Sequence, residues 1–244
     1  MIKIEGLCKK YGDKVALNNL NVQINDGEIF GLIGHNGAGK STTIKTLVSV
    51  INSDSGKIFI DNKSLSENRN EIKKSIGYVS DTPDLFLKLP VKSYWDFISK
   101  VFEINDEDKE SRIEELKKVF SIDEKFDCTI EELSHGMRQK VFIVGALISN
   151  PKIWILDEPM TGLDPQSSFN LKKLMREHTR KGNIVLFSTH VLEVAEALCD
   201  RICILKEGKV LFVGTLEELK SKNIGETLED IYLKMISEEG AISE

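Results

Sequence analysis

Gly34-His35-Asn36-Gly37-Ala38-Gly39-Lys40-Ser41 follows the pattern G-x-x-x-x-G-K-[ST]. Its glycines free the backbone to wrap, so that successive N–H groups point at one anion. The next segment is helical in pattern through about Val50, and its positive dipole end faces the same anion. Lys40 then serves as a point charge for β- and γ-phosphate oxygens, and the Ser41 hydroxyl as a ligand for Mg²⁺. His35, Asn36, Ala38 and Thr42 complete the predicted cradle. Upstream, Glu28 to Ile33 is a short apolar run suited to a buried strand. Strand, glycine loop and helix in succession predict an α/β fold with a nucleotide at the strand's carboxyl end.

Composition narrows the function classes. The chain has 244 residues, 41% hydrophobic and 30% charged, which suits an ordinary globular protein with a sizeable core. Lys and Arg number 33 against 39 Asp and Glu, a net charge of −6 that argues against nucleic acid as a partner. No apolar run approaches the ~18 residues of a transmembrane helix, and Val141 to Ile148, the longest, reads as core. MIKIEGLCKKYG at the start has no apolar stretch of the secretory kind. Cys8, Cys128, Cys199 and Cys203 fit no zinc spacing and are expected to be free, reduced thiols. The expectation is a soluble intracellular chain that meets a membrane only through a partner.

Met1 to Ile24 alternates apolar and polar residues around the turn signals Tyr11-Gly12-Asp13 and Asn25-Asp26-Gly27, which predicts antiparallel strands. Lys57 to Ile60 and Ile76 to Val79 read as further strands. After Pro83 the character changes, with helical spacing from Val91 to about Phe120 and again from Ser134 to Asn150-Pro151. Strand and helix then alternate: Ile153 to Leu156, Ser167 to Arg180, Ile184 to Ser188, Leu192 to Cys199. Ile202 to Lys206 and Val210 to Val213 form a hairpin across Glu207-Gly208. The tail from Leu216 is polar and helix-prone, with Leu219, Leu228, Ile231, Tyr232 and Met235 as packing residues.

Two more motifs carry chemistry. Ile153-Trp154-Ile155-Leu156-Asp157-Glu158-Pro159 is an apolar strand that delivers two acids to its carboxyl end. With a phosphate loop in the same chain, Asp157 is placed to hold Mg²⁺ and Glu158 to polarise the water attacking the γ-phosphate. Leu133-Ser134-His135-Gly136-Met137-Arg138-Gln139-Lys140 opens a helix with Ser134 as its N-cap, a ready anion site. By itself that segment reads as an ordinary capped core helix with no ligand.

The order phosphate loop, Leu-Ser-x-Gly, strand-Asp-Glu resembles the ATP-binding subunit of an ABC transporter, the ABC-2 type exporter ATPases in particular, over nearly the whole chain. Within that resemblance Gly162-Leu163-Asp164 is similar to the D-loop, His190 to the switch histidine and Tyr11 to the aromatic that stacks on adenine. The resemblance implies an α/β P-loop NTPase core, RecA-like and mostly parallel, over residues 1–85 and 150–215. The core carries an N-terminal antiparallel β subdomain. An inserted α-helical subdomain would occupy residues 86–149 and a helical tail 216–244.

It also implies a mechanism. Two copies, or this chain and a paralogous ATPase, would pair head to tail around two ATP molecules. Ser134 and the Gly136 N–H would serve the nucleotide on the partner's phosphate loop. Closure and opening would drive membrane-spanning permease subunits, with this chain peripheral on the cytoplasmic face through them. A soluble ABC ATPase acting on ribosomes or DNA is the alternative; a single cassette, a short insert and no basic patch fit it less well.

The sequence departs from the family's pattern at three places. His135 stands where Gly is common, and Met137 where Gln is usual. Asp81 stands where the family places a Gln beside Mg²⁺, which keeps an oxygen ligand, adds a charge and removes an amide donor. A side chain at position 135 either crowds the γ-phosphate or adds a titratable donor to it.

Overall fold

Ile2–Tyr11 (β1) and Lys14–Ile24 (β2) pair antiparallel across the turn that joins Tyr11 to Lys14, as their alternating pattern predicts. Ile29–Ile33 (β3) is buried at every position and feeds the phosphate loop and the helix Lys40–Leu47 (α1). Ser55–Ile60 (β4) pairs with the free edge of β1, and the short Lys63–Ser64 (β5) completes a four-stranded sheet in the order β2-β1-β4-β5. The structure, a computed structural model, describes residues 1–81, 84–122, 127–221, 223 and 225–238.

After the short helix Arg69–Lys74 (α2) the chain enters the second sheet at Ile76–Val79 (β6). Three helices then follow: Val91–Val101 (α3), Asp106–Phe120 (α4) and His135–Ile148 (α5). The helical spacing from Val91 to Phe120 covers two helices, not one. Glu103 takes a positive φ of 57°, and Asn105 caps α4 by accepting from Asp108 N at 2.8 Å. Three acids in the first turn of α4 complement its dipole, so the new start is locally encoded. Pro83, after which the sequence changes character, lies outside the described residues.

The remaining elements are Ile153–Leu156 (β7), Pro165–Arg180 (α6), Ile184–Thr189 (β8), Leu192–Leu198 (α7), Arg201–Lys206 (β9), Lys209–Thr215 (β10), Leu216–Ser221 (α8) and Leu228–Glu238 (α9). The second sheet has the order β10-β9-β3-β8-β7-β6, parallel except for β10. This is the expected P-loop NTPase architecture. The sheet divides the core. Ile153 and Ile155 face a cluster shared with α1 and the antiparallel sheet, whereas Trp154 and Leu156 face one shared with α3 to α6. Such two-sided burial is why β3, β7 and β8 read as continuous apolar runs. In the tail Leu219, Leu228 and Ile231 are buried, and Lys206 Nζ donates to Ile236 O at 2.6 Å. Cys8, Cys199 and Cys203 are free thiols. No helix among the described residues is long and apolar enough to cross a membrane.

Candidate active site

The parallel register gathers the motifs. Val79 of β6 lies beside Leu156 of β7, Leu156 beside Phe187 of β8, and Ser188 beside Leu32 of β3. The residues that leave these strands are therefore neighbours along one sheet edge: Asp81 after β6, Asp157 and Glu158 after β7, His190 after β8, Gly34 after β3. In open α/β sheets this is where ligands bind.

The glycine loop is held against the sheet by close backbone contacts. A Cβ on Gly34 would stand 2.6 Å from Leu205 O, and Gly39 has φ 111° with Ala16 O only 2.8 Å from where a Cβ would be. Neither position admits a side chain. Ala38 is fully buried and its carbonyl accepts from Gly208 N at 2.9 Å. A cavity over the loop is lined by Tyr11, Lys14, Ala16, His35, Asn36, Gly37, Gly39, Lys40, Ser41, Thr42, Asp81 and Glu158. Most of the expected cradle is thus brought together. Tyr11 is half exposed, with Lys9 Nζ 5.6 Å from its ring centroid.

Lys40 is buried at the base of this cavity. Its Nζ donates to Gly34 O at 2.6 Å and lies 3.2 Å from Glu158 Oε1, a charge contact without hydrogen-bond alignment. The other Glu158 oxygen, Oε2, is 3.0 Å from His190 Nδ1. Glu158 itself takes φ 49°, an uncommon backbone state for a side-chain-bearing residue and one that concentrates at functional sites. Beneath it Ser188 Oγ accepts from Glu158 N at 2.9 Å and donates to Asp157 Oδ1 at 2.5 Å.

Asp157 is 1% exposed, and its Oδ2 has no hydrogen-bond partner among the described residues. A buried carboxylate oxygen left in this state is completed by water or a cation. No group of three or more His, Cys, Asp or Glu forms a metal cage among the described residues. One or two carboxylates with phosphate oxygens is the donor set that Mg²⁺ takes, so the residues fit that ion. Asp81 sits at the cavity wall. Partial burial, then the charges of Asp157 and Glu158, push its carboxyl up, offset in part by His135 and Lys45.

Ser134 and Gly136 stand at the start of α5 and do not line this cavity. Ser134 Oγ caps the helix by accepting from Met137 N at 3.4 Å. Further along, Lys140 Nζ lies 2.9 Å from Asp164 Oδ2, and Asp164 also caps α6 through Ser167 N at 2.8 Å. The Ser167 hydroxyl, which donates to Oδ2 at 2.6 Å, and then these two contacts hold the Asp164 carboxyl well below the usual range. Sequence reasoning missed Ser188 and Lys14. A Ser at the end of the apolar run IVLFS was the available signal for Ser188; Lys14 had none beyond its place after the Tyr11 turn.

A family model described as "ABC transporter" matches residues 17–161. The ABC-type transporter ATP-binding protein EcsA of Bacillus subtilis is 32% identical over 241 residues, 98% of each chain. The chain belongs to the ABC transporter family. A solved ATP-binding subunit of an ABC transporter superposes with a TM-score of 0.91 at 31% identity, covering 97% of this chain and 99% of that one. A dimeric ATP-binding cassette of the family, in a post-hydrolysis state bound to ADP and Pi, gives a TM-score of 0.76 at 27% identity over 88% of this chain and 99% of that one. The family's cassettes bind and hydrolyse ATP. Its ATP-binding transporter subunits are the reading these likenesses favour over a soluble ATPase of ribosomes or DNA.

Proposed function

We propose that the chain binds ATP with Mg²⁺ and hydrolyses it as the motor of a membrane transporter. The observation that carries this reading is the Glu158 carboxylate, held between Lys40 and His190 beside the buried Asp157. Tyr11 would stack on the base, and Gly34 to Thr42 would cradle the phosphates through backbone N–H groups. Ser41, Asp81 and Asp157 would hold Mg²⁺, which when bound neutralises charge on the phosphate oxygens. Glu158 takes a proton from the attacking water, and His190 orients the carboxylate and faces the developing charge.

Ser134 and Gly136 lie off the chain's own cavity, which supports a role toward a partner's nucleotide in a head-to-tail dimer. The dimeric relative supports pairing as such. Val50, Leu85, Phe97 and Val101 are exposed apolar side chains near the junction of the core with α3, a surface suited to a permease segment. On this reading residues 1–85 with 150–215, 86–149 and 216–244 act as core, insert and tail. The chain stays at the cytoplasmic face through its partner.

The test is Mg²⁺-dependent ATP hydrolysis by the purified chain, abolished in Lys40→Ala. Co-purification from membranes should bring down a hydrophobic multi-spanning partner. Absent turnover in the presence of that partner would refute the motor reading.

A further inference from the structure

His135 occupies space that belongs to its own chain. A Cβ on Gly162 would lie 2.2 Å from His135 Cδ2 and 3.1 Å from Nε2, and its three nearest atoms are all of that imidazole ring. The ring therefore rests directly on the Gly162 backbone, which has φ 77°. A Cβ on Gly136 would lie 2.3 Å from Gly162 O, so the first turn of α5 and this loop touch backbone to backbone.

The contact continues along one face of α5. Gln139 Nε2 reaches Pro159 O at 3.5 Å and Lys140 reaches Asp164 at 2.9 Å, so positions 136, 139 and 140 all meet the loop 159–164. That loop begins at Glu158 and runs in tight turns, with Thr161 N donating to Glu158 O and Leu163 N to Met160 O, each at 3.3 Å. A shift at Gly162 has little slack to absorb it before Glu158. The Glu158 carboxylate meets Lys40 at 3.2 Å and His190 at 3.0 Å only from its present place.

We propose that His135 is a positioning residue: its ring, packed on Gly162, sets the loop that carries Glu158, and it acts as neither a phosphate ligand nor an obstruction to phosphate. The inference rests on the reading of Glu158 as general base. It predicts that the shape of the side chain at position 135 outweighs its polarity in setting turnover.

The experiment measures kcat and KM for ATP in variants of the full chain. His135→Phe, a planar ring without a donor, should stay within about threefold of wild type. His135→Gly should lose about tenfold in kcat with KM for ATP unchanged, the cost of a small misplacement of a reacting group. Gly162→Ala should lose at least as much as His135→Gly, since its methyl would meet the ring and strain the φ 77° backbone. His135→Phe as slow as His135→Gly overturns the proposal in favour of a polar role, and needs no change at Gly162. Gly162→Ala with wild-type turnover also overturns it. Glu158→Gln run alongside separates the two readings. Wild-type turnover there removes the general base, whereas slow Glu158→Gln with fast Gly162→Ala removes only the present inference.

Discussion

Lys40 and Glu158 are ion-paired in this structure, with Nζ and Oε1 3.2 Å apart and both side chains largely shielded from water. One is the residue proposed to grip the phosphates and the other the residue proposed to activate water. Lys40 also spends a hydrogen bond on Gly34 O. On the proposed reading an arriving triphosphate would take Glu158's place as the anion beside Lys40, since a buried ammonium without an anion is costly. Glu158 would then be left with His190.

Glu158→Gln should accordingly do two things. Hydrolysis should fall by at least ~100-fold, as expected for loss of a general base. ATP affinity should be kept or rise a few-fold, because Lys40 loses a competing charge. Single-turnover hydrolysis and calorimetric ATP binding test the pair. Turnover within a few-fold of wild type removes Glu158 from its role.

Asp81→Asn should raise the Mg²⁺ concentration needed for half-maximal turnover, since a carboxylate adds charge attraction to an oxygen contact. ATP binding in the absence of metal should change little, and Asp81→Ala should need still more Mg²⁺. Superimposed Mg²⁺ titrations for wild type, Asn and Ala would make Asp81 a surface turn residue.

Ser188→Ala removes the hydroxyl that joins Asp157 to the Glu158 backbone. It leaves a buried carboxylate short of a donor, so stability should fall by about 1–3 kcal/mol. Turnover should drop while ATP binding persists. Denaturant unfolding and kcat on the same preparation check this; unchanged kcat would show that Glu158 does not depend on the Ser188 tie.

His178 supplies a pH prediction away from the site. It is buried against Trp154, with ring centroids 5.8 Å apart, and burial pushes its imidazole down to about 4. The native state thus favours the neutral ring, whereas the unfolded chain protonates near its ordinary value. Stability should be full above pH ~6.5 and fall as pH drops toward 4, by about 2 kcal/mol after allowance for partial solvation. His178→Leu should flatten that decline in urea midpoints. An equally steep decline in the variant would assign it to other groups.

The parts of the site that sequence made legible are those whose spacing is local. Gly34 to Ser41, Asp157-Glu158 and His190 each end an apolar strand, and a parallel sheet brings strand ends together without further information. Ser188 was hidden because its value lies in a neighbouring strand: only the register of β7 with β8 puts it under Asp157. The same holds for His135. Sequence offered a clash or a donor at phosphate, and the ring lies instead on Gly162, a contact between two segments that no local pattern links. The break between α3 and α4 was encoded in Asn105 and the acids after it, but the continuing apolar spacing masked it.

In the proposed head-to-tail dimer each ATP is served by two chains, Lys40 of one and Ser134 of the other. Differently tagged Lys40→Ala and Ser134→Arg chains, purified as the mixed dimer, test it most directly. That dimer retains one intact composite site, so it should bind ATP at half the wild-type stoichiometry while each single-mutant dimer binds none productively. A mixed dimer that binds no better than the separate mutants would contradict it.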